Sequence, residues 1–491
     1  MHTIHALLDD LKLNKQHRRI VLAAGLGIFL DGYDLSIIAV ALLLLKPDWH
    51  LSAVATGLLG AATLAGAALG GLVGGRIADL FGRKVLYLMD VAAFFIAALL
   101  SGVAWDVTSL IIFRFLLGIG VGMDYPLSSS YIAEFMPKAQ RGAGLSWAFT
   151  LWMIGAAVSA VVGLVLLQAG PNAWRWMFIS GAIPALAVLW LRRNLPETPR
   201  WYIAHNRPEE AIQVLQSMSP EVDAQSLREA LQRQTPELVP MRAWATLFAP
   251  QWLGRTLLVI IPWMMVDVSA YGLIVYLPIL LGGFGIHSHT DALLWNVIFD
   301  LITLCGIASL AMTTRRVGRV FPQIAGFALN AFFLGVLGLV ALYMQPPIWL
   351  LIVTIFGYTF FNNFGPATTT WLLPVEIFPT DLRASAHGLA TACSRVAAAT
   401  SVFLLPSVYA ALGNGWLMLI LAATSLVGLL VTLLLGRDME PGIRSLEEVS
   451  EVAGPNVSIL PPDFPVGAEV EISCASFSSC ESNSRVRDGD R

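Results

Sequence analysis

Residues Arg114 to Gly142 read RFLLGIGVGMDYPLSSSYIAEFMPKAQRG. This is an apolar helix that carries Arg114, Asp124 and Tyr125 at membrane depth and closes on Glu134, Pro137 and Arg141. A charge inside a lipid-length helix costs at least ~2.5–3.5 kcal/mol on insertion scales, so it has to face a bundle interior or a watery cavity. The stretch therefore reads as a working part of a membrane-embedded bundle. Its exit is repeated: Glu134-x-x-Pro137-x-x-x-Arg141-Gly142 returns as Glu376-x-x-Pro379-x-x-x-Arg383-Ala384, displaced by 242 residues. Asp31 and Asp267 are 236 apart, as are Gly82-Arg83 and Gly318-Arg319. Offsets this similar indicate a duplicated six-helix unit. Two such halves around a pseudo-two-fold axis place a solute site between them near the bilayer midplane, with access alternating as the halves rock.

Working outward, the 491 residues are 56% hydrophobic and 13% charged, with a mean hydropathy of +0.70. A soluble domain carries about twice that charge fraction. The net charge of −3 offers no basic excess for nucleic acid. Cys305 and Cys393 lie in apolar segments and Cys474 and Cys480 in the tail, without metal-ligand spacing, so neither metal nor cofactor is expected; a Cys474–Cys480 bridge stays open. His287, His289 and Asp291 read as a solvated outer loop. The basic lead (Lys12, Lys15, Arg18, Arg19) runs into an apolar span without a small-residue cleavage site, which predicts a retained first helix.

A span needs roughly 20 apolar residues, and twelve segments qualify: 19–45, 52–75, 85–104, 109–133, 143–169, 176–193, 254–281, 290–312, 321–344, 348–373, 384–411 and 414–436. The expected fold is all-α: a polytopic membrane protein of twelve transmembrane helices in two pseudo-symmetric six-helix bundles. The expected domains are an N-terminal bundle (1–194), a cytoplasmic central loop with short helices (195–253), a C-terminal bundle (254–436) and a cytoplasmic disordered tail (437–491). With both termini cytoplasmic, 26 of the 30 Lys and Arg fall on the inner side and only Lys46 and Arg175 outside, as the positive-inside rule requires. Arg114 and Arg395 remain within helices.

The loop Gly75-Arg76-Ile77-Ala78-Asp79-Leu80-Phe81-Gly82-Arg83-Lys84 resembles the signature of the major facilitator superfamily, G-x-x-x-D-x-x-G-[RK]-[RK]. The resemblance implies gating and structural roles for Gly75, Asp79, Gly82, Arg83 and Lys84. In the second half Arg315 stands where the acid would be, so a latch is expected to be strong on the first side only. Asp124-Tyr125-Pro126-Leu127-Ser128 is similar to the fourth-helix signature of phosphate:proton symporters, with Met123 in place of the usual glycine. Trp263, Asp267 and Tyr271 resemble that family's phosphate-contacting face, and their i, i+4, i+8 spacing puts them on one helix stripe. Asn363-Phe364-Gly365-Pro366, running into Glu376 and later Ala386-His387-Gly388, resembles its tenth and eleventh helices, and Asp31, Asp34 and Asp90 complete the likeness. Two departures stand out: the family's phosphate-binding glutamine falls on Trp152, and Ala367 replaces another amide. Asp31-Gly32-Tyr33-Asp34-Leu35 is also similar to aromatic-acid:proton symporters, and Leu195 to Trp201, LPETPRW, to the sugar porters' mid-loop signature.

These likenesses imply proton coupling by Asp31, Asp34, Asp90, Arg114 and Asp124, and substrate binding by Tyr125, Trp152, Trp263, Asp267, Tyr271 and Asn363. Glu134, Arg141, Glu197, Arg200, Glu376 and Arg383 are implied in gating. Arg114 is expected to partner Asp31 or Asp124, the latter about 15 Å away along the helix. The implied function is proton symport of phosphate or a related anion through a monomer in the plasma (inner) membrane. Symport of an organic (aromatic) acid or sugar is the alternative, as is a nutrient receptor on the same fold. No nucleophile–base pair, phosphate-cradling glycine loop or metal set shares one depth, so no enzyme is expected.

Overall fold

In the computed structural model the described residues are 13–205, 207–218, 225, 228, 243–283, 289–378, 380–437 and 439. The tail, its two cysteines, His287 and the side chains of Asp79, Glu134, Arg141, Arg200, His289, Asp291, Arg315 and Arg383 lie outside that description.

Two long helices open on side-chain caps. Asn14 accepts a hydrogen bond from the His17 backbone N–H at 3.1 Å and starts α1, Lys15–Asp48. Asp106 does the same for the Ser109 N–H at 2.7 Å and starts α4, Val107–Phe135. Each cap satisfies a donor the helix leaves open, worth about 1 kcal/mol. Between them run α2 (Ala53–Phe81) and α3 (Arg83–Gly102). The chain turns at Gly82, whose φ of 93° suits a residue without Cβ. Next come α5 (Lys138–Leu166), α6 (Ala173–Ser180) and α7 (Ala182–Arg192), then three short helices, α8 (Pro199–Ala204), α9 (Pro208–Met218) and α10 (Ala243–Leu247). The remainder comprises α11 (Pro250–Gly283), α12 (His289–Val317), α13 (Val320–Tyr343), α14 (Ile348–Phe364), α15 (Pro366–Ile377) and α16 (Thr380–Leu435).

Among the described residues there is no strand, and ten stretches are long and apolar enough to cross a bilayer. The last of them, Ser385–Leu435, contains the non-helical Gly413 (φ 75°) and is therefore two passes. The apolar part of α12, Val297–Thr313, supplies one more, which accounts for the twelve expected segments. One pass is broken rather than straight: α14 ends at Gly365 and α15 restarts on Pro366, whose missing N–H costs nothing in a first helical turn.

Backbones touch where α1 crosses α5. A Cβ on Gly32 would lie 2.0 Å from the Trp152 carbonyl oxygen, and one on Gly155 would lie 2.1 Å from that of Phe29. Small residues that admit such contact are how membrane helices gain dispersion energy without a hydrophobic drive, and here the crossing fixes Trp152. The central segment is docked, not merely strung between halves: Leu195 and Met218 join Ile20, Tyr131 and Phe135 in one apolar cluster, and the Asn14 amide donates to the Met218 carbonyl. Outward-facing side chains such as Ile183 (74% exposed) and Leu434 (71%) have lipid as their solvent.

Candidate functional site

A cavity of about 140 Å³ lies between the early and late passes. All six residues expected to bind substrate line it: Tyr125 from α4, Trp152 from α5, Trp263, Asp267 and Tyr271 from α11, and Asn363 from α14. The i, i+4, i+8 stripe on α11 thus faces one chamber. Its polar centre is an ion pair that the sequence did not disclose: Arg395 of α16 donates from Nη1 to Asp267 Oδ2 at 2.6 Å. The guanidinium also lies 4.7 Å from the Tyr125 ring centroid and 4.9 Å from that of Tyr271. Both distances are within cation–π range. Trp152 meets Tyr271 edge-on at 6.4 Å. Three buried donors of chamber-lining residues have no partner: Trp152 Nε1, Trp371 Nε1 and Arg395 Nε.

None of the five residues expected to couple protons lines this chamber. They are buried in the first six passes. Arg114 does not partner Asp31 or Asp124; its Nη1 donates to Asp34 Oδ1 at 2.6 Å, and Nη2 to the Asp34 carbonyl at 3.3 Å. The helix rise puts Asp124 out of reach, and Asp34, one turn on from Asp31, presents its carboxylate at the right level. Asp124 and Asp90 instead share Arg192, at 2.8 and 3.2 Å, with the guanidinium 4.1 Å from the Tyr87 ring centroid. Arg192 is 1% exposed although it ends α7. Gly27 makes room for it: a Cβ there would lie 1.7 Å from Arg192 Nη2 and 2.2 Å from Asp124 Oδ2. Asp31 is buried between these groups and the chamber pair. It interacts electrostatically with Asp124, Arg395, Asp90 and Arg192, and its Oδ2 has no hydrogen-bond partner.

At the turn between α2 and α3, Glu197 Oε2 accepts from the Lys84 backbone N–H at 2.9 Å, at the N-terminus of α3. A Cβ on Gly82 would lie 2.6 Å from that same oxygen, so this glycine serves both the turn and the docking of Glu197. In the second half Arg319 binds Glu376 through two hydrogen bonds of 3.0 Å. A latch confined to the first half is therefore not what forms: the acid comes from the exit of α15, not from the loop where Arg315 stands. His387 packs edge-on against Trp263 (5.4 Å) and Trp371 (6.1 Å), both chamber residues.

An all-helical, twelve-pass bundle enclosing a solute-sized chamber defines a membrane transporter, and the fold is that of the major facilitator superfamily. The xylose:proton symporter XylE, solved with 6-bromo-6-deoxy-D-glucose, superposes with a TM-score of 0.72 at 25% identity, over 89% of this chain and 99% of that one. The family described as sugar (and other) transporter matches residues 20–453, and the chain belongs to it. The "Putative metabolite transport protein YaaU" of Escherichia coli (strain K12) is 34% identical over 424 residues, 86% of this chain and 93% of that protein. Inorganic phosphate transporter 1-11 of Oryza sativa subsp. japonica is 26% identical over 507 residues, 90% of this chain and 89% of that one. The chain is an integral membrane transporter of a small solute and not an enzyme.

Proposed function

We propose that this protein carries a small single-ring organic solute, rich in hydrogen-bond acceptors, across the plasma (inner) membrane together with protons, as a monomer with both termini cytoplasmic. The observation that carries the reading is the chamber itself. An engineered cavity of about 150 Å³ holds benzene, so about 140 Å³ walled by Trp152, Trp263, Tyr125 and Tyr271 is matched to one ring. The unpartnered donors of Trp152, Trp371 and Arg395 call for oxygen acceptors on that ring, since an unmet buried donor costs about 1–3 kcal/mol.

Phosphate, first choice on the motif likeness, becomes the second reading. It is favoured by the lining, where Trp263, Asp267 and Tyr271, the stripe that resembles a phosphate-contacting face, stand with Tyr125 and Asn363. Against it, Arg395 is already neutralised by Asp267 at 2.6 Å, and a dianion would enter with its charge uncompensated. Trp152 also offers one donor and a large apolar face where an amide would stand.

Proton coupling rests on a charge imbalance. The first six passes bury Asp31, Asp34, Asp90 and Asp124 against Arg114 and Arg192. Four carboxylates facing two guanidiniums leave an excess for which a proton is the available neutraliser. Asp31, with neither guanidinium in salt-bridge contact among the described residues, is the carboxylate to load and release it as the halves rock.

Reconstituted vesicles given labelled benzoate, xylose and phosphate, with and without an imposed pH gradient, test this. Gradient-dependent accumulation of a ring compound is expected. Accumulation of phosphate alone reverses the order of the two readings. Binding without flux of any of the three would make the protein a receptor.

A further inference from the structure

Two carboxylates line the chamber among the described residues, and they are not equivalent. Asp267 is neutralised by Arg395. Asp300, on α12 one turn before Thr303, has no hydrogen bond or ion pair among the described residues. It is partly accessible and sits within the apolar run Val297–Thr313. A carboxylate at membrane depth is expensive unless something answers it. Arg395 is the only guanidinium on the chamber wall among the described residues, and Asp267 occupies it.

We infer that Asp300 selects the solute: its carboxylate receives a hydrogen-bond-donating group, ammonium or hydroxyl, on the ring compound that the chamber holds. The inference rests on the ring-solute reading and adds a second pole to it. Acceptor atoms of the solute meet the unpartnered N–H groups of Trp152, Trp371 and Arg395, and a donor meets Asp300. A solute with acceptors only, or a dianion, would leave Asp300 unanswered or repel it. The residue is thus a specificity filter on α12, separate from the stripe on α11 and from the buried charges of the first six passes.

The test is calorimetric titration of the purified full-length protein with three probes: phenylalanine (ring, carboxylate and ammonium), xylose (ring with neutral hydroxyls) and benzoate (ring and carboxylate, no donor). A hydrogen bond to a charged group separates matched from unmatched ligands by about tenfold or more. Wild-type protein should therefore prefer phenylalanine or xylose to benzoate by that margin. Asp300→Asn should erase the margin, chiefly by losing the donor-bearing probe, while Asp300→Glu retains part of it. A larger loss for phenylalanine assigns an ammonium, and a larger loss for xylose assigns a hydroxyl. A margin absent in the wild type, or unchanged in Asp300→Asn, overturns the inference while leaving ring binding intact. If none of the three probes binds the wild type, the ring-solute reading falls and this inference with it.

Discussion

The first six passes and the last six hold their buried charge in different places. Early in the chain, Asp34–Arg114 and Asp90–Arg192–Asp124 are packed between helices, away from the chamber wall. Late in the chain, Asp267–Arg395 is the chamber wall. A pair that lies against solute can trade a partner for ligand atoms; a pair buried among helices can only exchange protons or partners within the protein. On the proposed reading, the chamber wall, drawn from both halves through Tyr125, Trp152 and the α11 stripe, meets the solute, and the early carboxylates handle protons.

The strongest way to break this division is Arg192→Leu. Removing one partner of a buried pair costs about 3–5 kcal/mol because the other is left uncompensated, and here two carboxylates lose their cation. Thermal unfolding in detergent should drop by many degrees, and adding Asp124→Asn should recover part of the loss. An unchanged melting curve would show that the early pairs are not structural. The same pair can be approached from α1: Gly27→Ala puts a methyl 1.7 Å from Arg192 Nη2. Overpacking of this kind costs about 1–3 kcal/mol, so a smaller fall in the same melting curve is expected. Asp31→Asn sharpens the functional side of the division. A pH gradient of one unit sustains about tenfold accumulation per proton, since tenfold corresponds to ~1.4 kcal/mol. The variant should lose that accumulation and equilibrate, yet still exchange preloaded solute. Accumulation at the wild-type level would remove Asp31 from the proton path.

Much of this is legible in the sequence. The passes were readable because lipid cannot satisfy backbone polar groups, which forces long apolar helices. The chamber face was readable because Trp263, Asp267 and Tyr271 resemble the phosphate symporters' seventh helix, with one-turn spacing putting them on one stripe, and Trp152 because that family's glutamine position falls on it. The cations were not. Arg192 stands beside Arg193 at a helix end and counted as an ordinary inner-side charge. Neighbouring residues point about 100° apart on a helix, so packing alone decided that one of them turned inward. A signal was nevertheless present: Asp31, Asp90 and Asp124, three deep acids, stood against one expected cation, Arg114. Asp267 posed the same question, and Arg395, noted within its helix, was the answer. Asp300 escaped because nothing marks it in sequence except that it interrupts an apolar run.

The smallest expected effect concerns the loop latches, where the halves also differ. In the second half Arg319 and Glu376 form a bidentate pair whose side chains are 19% and 21% exposed. Partly solvated pairs contribute about 1 kcal/mol or less, so Arg319→Ala should change the rate of solute exchange by about fivefold or less. In the first half Glu197 serves a backbone N–H at the start of α3, and two contributions are mixed there, the hydrogen bond and the charge at a helix N-terminus. Glu197→Gln keeps an acceptor oxygen and removes the charge, which the helix dipole values at ~0.3–1 kcal/mol. If exchange in Glu197→Gln stays at the wild-type rate while Arg319→Ala slows it, the first latch is a hydrogen bond and the second an ion pair, and the halves close by different chemistry. Equal slowing would mean that charge governs both, and the asymmetry of the molecule would then end at the membrane surface.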